Sequence, residues 1–240
     1  MIRNLLSKTI KTLKRDAIIL IPYIMFVLLL KSIESQLPSS TSEKISANMF
    51  IVKVIFLGWL VELFFKGLTI VMAQSLFKDH QLNIPECISD VTKKFIRLLM
   101  ATGVILLPLM IIVKTALDVE GNITSWLLGL GMFLLVIPAT LILEFIPIMV
   151  LIEKRPVFKA IKDSAVFVKQ NLYAVIVFTS LSFAILFSTF IFSAMFIQVP
   201  VLGESIFQAV INGLGYAFVY VMTVVFYYEI TNPKSVETIA

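Results

Sequence analysis

The 240-residue sequence contains one cysteine and one histidine, and only 15% of its residues are charged. The lone Cys87 cannot form an intramolecular disulfide, which excludes a disulfide-stapled secreted scaffold. Together with the lone His80 it lacks the paired cysteines and histidines of a zinc site, so we predict no metal. In soluble globular proteins about a quarter of the residues are charged, and the lower share here argues against a soluble domain.

Recognisable catalytic and nucleotide-binding motifs are also missing. The chain has no P-loop, no dinucleotide-binding fingerprint, no H-E-x-x-H and no G-x-S-x-G. We therefore predict no catalytic residue and no cofactor, and we expect a protein that is not an enzyme. The net charge of +5 raises the question of nucleic acid. The basic residues lie between apolar runs without a binding-module pattern, so no nucleic-acid partner is expected.

Hydrophobic residues make up 59% of the chain and are collected in long runs. A helix needs about 20 mostly apolar residues to cross the roughly 30 Å hydrocarbon layer, and five runs reach this length. A sixth run is shorter, but Lys31 beyond its end can extend to the interface. The sequence thus predicts an all-α polytopic membrane protein, a single membrane domain over 1–240. The predicted spans are 17–30, 50–77, 95–117, 125–152, 172–197 and 205–230.

The basic residues are distributed unevenly between the two sets of connections. Fifteen Lys and Arg residues lie before the first span, near the second and fourth connections, or after the last span. The opposite connections hold only Lys31 and Lys44. Because cytoplasmic loops carry such an excess, we predict a multi-pass protein of the cell membrane with both termini cytoplasmic. The six spans are then paired in three hairpins.

Three predicted cytoplasmic segments, 1–16, 84–94 and 157–171, combine basic residues with apolar residues at helical spacing. We predict interfacial helices, in which each Lys or Arg gains about 1 kcal/mol from anionic lipid. Two interpretations remain open: these helices only set topology and packing, or they form a surface for a specific lipid or partner. The candidate lipid-facing cations are Lys93, Lys94, Arg97, Lys159 and Lys162.

The basic segments also indicate an internal repeat. Each precedes an outgoing span, a short external connection and a returning span, with a period of about 75 residues. Sequence identity between the three copies is weak. We therefore treat the repeat as a prediction about architecture alone.

Ionisable residues within the spans are the exceptions to the apolar pattern, and each costs about 2.5–3.5 kcal/mol near the membrane centre. Glu62 and Lys66 are four residues apart and lie on one helical face. At about 1.5 Å per residue, Glu144 of the fourth span differs in depth from Lys66 by only about 4–5 Å, so we expect the two to be able to pair. The cluster either fixes helix register or forms an ion or proton pathway.

Small residues recur every four positions in the last two spans. Such stripes allow close helix contact, so we predict that the fifth and sixth spans pack together. The alternative is an interface between copies of the chain in a homo-oligomer. The residues are Ser180, Ala184 and Ser188 in the fifth span and Ala209, Gly213 and Ala217 in the sixth.

The stretch EFIPIMVLIEKRPVFKAIKDSAVFVKQNLYAVIVF carries a Glu, Ala, Ser, Lys-x-Asn pattern. It resembles the six-span membrane domain fused to some bacterial glycerophosphoryl diester phosphodiesterases, and that domain's stand-alone prokaryotic relatives. Arg15-Asp16, Pro22 and the terminal FYYEI are also similar. The resemblance implies a six-span architecture and a lipid-linked or transport accessory role. It does not imply esterase activity, because one histidine cannot supply the acid-base and metal residues of such an enzyme. The matching residues are Glu153, Ala160, Ser164, Lys169 and Asn171.

The sequence favours a channel or transporter of unknown substrate, whose pathway uses Glu62, Lys66 and Glu144. The alternative is a non-transporting lipid-binding or scaffold module that uses the basic helices. In both cases the expected partners are membrane lipids, anionic at the cytoplasmic face.

Overall fold

A computed structural model describes residues 1–35, 44–77, 82–117, 123–195 and 204–232. Within these ranges every regular element is a helix, which confirms the all-α prediction. The elements are α1 (Ile2–Arg15), a 3₁₀ turn (Ala17–Leu20), α2 (Ile21–Ser35), α3 (Lys44–Phe77), α4 (Ile84–Leu117), α5 (Ile123–Leu151), α6 (Val157–Gln170), α7 (Leu172–Met195) and α8 (Glu204–Thr231).

Three helical stretches in the described part of the chain are long and apolar enough to cross a membrane: Leu57–Phe77, Leu172–Ala194 and Ile206–Thr231. Two further apolar stretches are shorter, Ala17–Leu30 and Val136–Leu151. The chain is therefore a membrane protein by the length and composition of its helices. The count of six spans and their pairing in hairpins remain predictions.

The predicted interfacial segment 84–94 is continuous with the predicted third span in the single helix α4. Pro85 is compatible with the helix start, because the first turn has no intrahelical partner for its N–H groups. No further proline occurs before Pro108, so the helix continues. The segments 1–16 and 157–171 instead contain the separate helices α1 and α6. Asp16, in an extended conformation, ends α1, and its side chain accepts a hydrogen bond from the Ile18 N–H at 3.0 Å.

The chain forms two compact units. Unit 1 comprises Met1–Val91 and Ser180–Ala240, and in it α2 packs against α3 and α8. Gly213 brings α8 close to α2, since a Cβ at this position would lie 2.8 Å from the Ile24 Cα. The small-residue stripe of α8 therefore faces α2, with Ala209 and Ala217 fully buried. The core between the two helices contains Tyr23, Phe26, Val27, Ala209, Ala217 and Tyr220.

The predicted contact of the fifth span with the sixth is present between α7 and α8, but it does not join the two small-residue stripes. Ser180, Ala184 and Ser188 are exposed on α7. The two helices approach each other elsewhere, where a Cβ on Gly215 would lie 2.7 Å from the Thr189 Oγ1. A four-residue repeat of small residues identifies a face that permits close approach, but it does not specify which helix approaches it.

Helix α1 packs against α8 and α3 within unit 1. Its buried face is Leu5, Thr9 and Thr12, where each threonine hydroxyl donates to the carbonyl four residues earlier. Leu6, Ile10 and Leu13, the apolar residues at helical spacing in this segment, lie on a different face, and Ile10 is 45% exposed. The helix thus has a protein-facing side, an outward apolar side and a basic side.

Unit 2 comprises Thr92–Thr179, and its best-packed region lies between α5 and α6. The Phe145 ring is fully buried, 4.8 Å from the Phe167 ring centroid and 6.1 Å from that of Phe178. Ala160 and Ser164 are fully buried on α6, and the Ser164 Oγ donates to the Ile142 carbonyl at 2.7 Å. The small side chains of the Ala and Ser positions therefore allow α6 to lie close to α5.

Candidate functional site

Four polar side chains from three helices of unit 1 meet around Tyr23. The Tyr23 hydroxyl, on α2, donates to the Glu62 Oε1 at 2.9 Å. On α8, the Tyr220 hydroxyl lies 3.4 Å from that of Tyr23, and either oxygen can be the donor. The Lys66 Nζ lies 4.5 Å from the centroid of the Tyr220 ring. We call these four residues the Tyr23 cluster.

Aromatic rings surround the hydroxyl groups of the Tyr23 cluster. Tyr23 packs against Tyr216 at 5.4 Å and edge-on against Phe26 at 5.2 Å between ring centroids. Tyr23 and Tyr220 are 1% and 6% exposed, whereas Glu62 and Lys66 are only partly buried. The cluster therefore extends from an accessible edge on α3 to a buried pair of hydroxyls.

The prediction that Glu62 and Lys66 share a face holds in the structure, because both contact residues of the same cluster. A tyrosine hydroxyl bound to a carboxylate forms a charge-assisted hydrogen bond, which is stronger than a neutral one. An ammonium over a tyrosine face gains about 0.5–2 kcal/mol. These contacts offset part of the cost of placing both charges inside a membrane.

Glu144 lies on α5 in unit 2 and is partly buried. Glu62 and Lys66 belong to unit 1, so the pairing of Glu144 with Lys66 stays a prediction. The sequence analysis missed Tyr23 and Tyr220. A buried tyrosine hydroxyl usually finds a hydrogen-bond partner. A tyrosine within an apolar run was therefore the signal in the sequence that could have indicated a polar contact at these two positions.

The predicted lipid-facing cations differ in exposure. Lys93, Arg97, Lys159 and Lys162 are exposed, whereas Lys94 is partly buried and its Nζ donates to the Leu151 carbonyl at 3.0 Å. On α6 the exposed Lys159 and Lys162 follow Phe158, whose side chain is 79% exposed. An aromatic ring beside lysines is typical of a surface at the lipid headgroups.

A cation also binds a carbonyl near the end of α3. The Arg15 Nη1 donates to the Leu76 carbonyl at 3.0 Å, as Lys94 donates to Leu151 at the end of α5. The last carbonyls of a helix lack intrahelical partners, and the negative end of the helix dipole favours a cation there. In both cases a basic helix supplies the cation to the returning helix of the same predicted repeat. The repeat itself stays a prediction.

Cys87 lies near the start of α4, and the pH dependence of its reaction with maleimide tests the surroundings of its thiol. Burial raises the pKa of its thiol, and the neighbouring Glu86 and Asp90 carboxylates raise this pKa further. A raised pKa leaves less thiolate at a given pH, so we expect slow labelling of the folded protein by maleimide at pH 7. The rate should reach half its maximum at a higher pH than for free cysteine. Stopped-flow labelling from pH 6 to 10 measures this, with the SDS-unfolded chain as control; equal profiles would contradict the prediction.

Comparison of the chain with protein-family models, curated proteins and solved structures finds no match. The resemblance to the membrane domain of glycerophosphoryl diester phosphodiesterases stays a prediction. Among the described residues, no group of three or more His, Cys, Asp or Glu side chains is placed to hold a metal ion.

Proposed function

We propose that the chain is an integral membrane channel or transporter whose pathway includes the Tyr23 cluster. The observation that carries the proposal is the chain of contacts from the partly exposed Glu62 to the buried hydroxyls of Tyr23 and Tyr220. Ionisable side chains within a membrane are costly and commonly mark ion or proton pathways. A residue that only fixes helix register needs a single partner, whereas this cluster links α2, α3 and α8.

The proposed topology has six spans in three hairpins in the cell membrane, with both termini in the cytoplasm. Each predicted span overlaps a helix of the structure, which supports this arrangement. The excess of basic residues on one set of connections supports the orientation. Glu144, on the predicted fourth span, is the proposed contribution of unit 2 to the pathway.

Ion flux through the purified protein in liposomes tests the transport proposal. Glu62→Gln keeps the size of the side chain but removes its charge, so we expect flux to fall by about tenfold, equivalent to about 1.4 kcal/mol in the barrier. Glu144→Gln tests the second carboxylate in the same assay. The matched control is Glu86→Gln, which changes an exposed carboxylate outside the predicted spans. Equal flux through all folded variants would reject the pathway.

A second candidate function is a lipid-binding or scaffold module, favoured by the exposed surface of α6. Phe158 is 79% exposed and is followed on the same helix by Lys159 and Lys162, which are also exposed. Aromatic insertion and attraction to anionic headgroups act together at such a surface.

We expect the Lys159→Gln/Lys162→Gln double variant to lose anionic-lipid preference. Two lost lysines correspond to about 2 kcal/mol, or roughly thirtyfold in relative affinity. The measurement is the relative association of spin-labelled phosphatidylglycerol and spin-labelled phosphatidylcholine with the protein in mixed vesicles, by electron paramagnetic resonance. Lys159→Arg/Lys162→Arg is the control, because it retains both charges. A preference unchanged in the Gln variant would count against this function.

A further inference from the structure

We infer that the species passed along the Tyr23 cluster is a proton. This inference rests on the proposed transport function and specifies its substrate. It follows from the kind of atoms that the cluster brings together: a carboxylate oxygen and two hydroxyl oxygens in sequence, with an ammonium beside the last ring.

The oxygen-to-oxygen distances allow a proton to move by short steps. The Tyr23 Oη lies 2.9 Å from the Glu62 Oε1 and 3.4 Å from the Tyr220 Oη. The first distance is a good hydrogen bond, whereas the second exceeds the usual range of about 2.5–3.0 Å, so the two hydroxyls must approach each other by about 0.4 Å for a transfer. Each hydroxyl can both donate and accept, and the Tyr23–Tyr220 bond can run in either direction. A relay needs this reversal of donor and acceptor.

The surroundings of the cluster disfavour a metal cation. A sodium or potassium ion needs several oxygen ligands or its own water, but rings occupy the space beside Tyr23, with Tyr216 and Phe26 within 5.4 Å between centroids. A proton moving along hydrogen bonds needs no additional volume.

The charged and titratable groups of the cluster come from all three helices packed around it. Helix α2 contributes Tyr23, α3 contributes Glu62 and Lys66, and α8 contributes Tyr216 and Tyr220. Glu62 is the carboxylate among them and therefore the group that accepts the proton. Lys66 holds a positive charge beside the Tyr220 ring and favours negative charge that develops on the hydroxyl oxygens.

The proposed transfer conserves protons at each atom. The Tyr23 O–H bond breaks as its proton joins the Glu62 carboxylate, and the Tyr23 oxygen takes the proton of the Tyr220 hydroxyl. The Tyr220 oxygen takes a proton from hydronium, the transported species, which must reach this buried hydroxyl from the side away from Glu62. Glu62 then releases its proton to water at the accessible edge, and the hydroxyls rotate back. One proton enters and one leaves, with no redox change.

Proton flux through variants that differ by a single oxygen tests the inference. The protein is reconstituted in liposomes containing a pH-sensitive dye, and a potassium diffusion potential drives the flux. We expect Tyr23→Phe to lower proton flux at least about tenfold, because the ring stays and the connecting hydroxyl is lost. Tyr173→Phe is the matched control, since it also removes one tyrosine hydroxyl but from a side chain on α7 that is 82% exposed and lies outside the cluster. Proton flux equal in both variants would overturn the inference.

Parallel assays of sodium, potassium and chloride flux separate the two proposals. Flux of one of these ions that needs Glu62 but is unchanged by Tyr23→Phe would keep the transport proposal and overturn the proton inference. No flux of any ion through the folded protein would overturn both.

Infrared difference spectroscopy gives a readout that does not depend on flux. On acidification we expect a carboxylic-acid stretching band that is absent in Glu62→Gln and shifted in frequency in Tyr23→Phe, which loses the hydrogen bond to this carboxyl group. A band unaffected by Tyr23→Phe would contradict the link between the two side chains.

Discussion

Replacing Phe145 with alanine is expected to lower the free energy of unfolding by about 3 kcal/mol. The Phe145 ring is fully buried in unit 2, and the rings of Phe167 and Phe178 lie 4.8 and 6.1 Å away between centroids. Removing it leaves a cavity between α5 and α6 that the neighbouring rings cannot fill without moving. The loss is mainly one of van der Waals contact, so it persists where lipid rather than water surrounds the helices.

The matched control for this change is Phe158→Ala on α6. The Phe158 side chain is 79% exposed, so its removal leaves no cavity, and we expect an effect within about 0.5 kcal/mol. Both variants are compared by reversible unfolding in mixed detergent micelles, followed by near-ultraviolet circular dichroism. Similar losses in the two variants would contradict the described packing of unit 2.

Adding one methyl group at Gly213 is expected to destabilise unit 1 by about 1–3 kcal/mol. The new Cβ in Gly213→Ala would lie 2.8 Å from the Ile24 Cα and 3.3 Å from the Ile24 backbone nitrogen. Backbone atoms cannot rotate away as the end of a side chain can, so α2 and α8 must separate. We expect a lower unfolding midpoint in the same detergent assay.

Gly58→Ala on α3 is the control for Gly213→Ala. Among the described residues, a Cβ at Gly58 would meet the Leu30 Cδ2, at 3.4 Å, which is ordinary contact with the end of a flexible side chain. Alanine is favoured over glycine within a helix by up to about 1 kcal/mol, so this variant should be neutral or slightly more stable. A loss in Gly58→Ala as large as in Gly213→Ala would refute the close approach of α2 and α8.

The positions of the helices were predictable because the apolar runs are long, but the contacts between helices were not. The run of small residues on α8 indicates a close contact, and its partner is α2 rather than the predicted α7. Likewise, the burial of Thr9 and Thr12 on α1 was not expected from the apolar pattern. It is possible because both threonine hydroxyls donate to carbonyls of their own helix and need no other partner. Which faces meet depends on the order of helices in space, which periodicity does not contain.

The candidate site was also predictable only in part, because the sequence identifies unusual residues within one helix but not their contacts with other helices. Charge within an apolar run identified Glu62 and Lys66 without any knowledge of neighbouring helices. Tyr23 and Tyr220 are 197 residues apart, and only the folded arrangement brings their hydroxyls together. The partner of Lys94 was also hidden, because counting cations by loop does not distinguish those that face lipid from those that cap a helix.

The ion pair between Lys8 and Glu229, 2.9 Å long, joins residues 221 positions apart and has a consequence for biosynthesis. At about 5–20 residues per second, the ribosome completes Glu229 roughly 10–45 s after Lys8. Unit 2 is one continuous segment and can fold during this interval, whereas unit 1 is built from two segments, one before and one after unit 2 in the sequence. Helix α1 is therefore synthesised well before α8, and it reaches its final contacts only after α8 has been made.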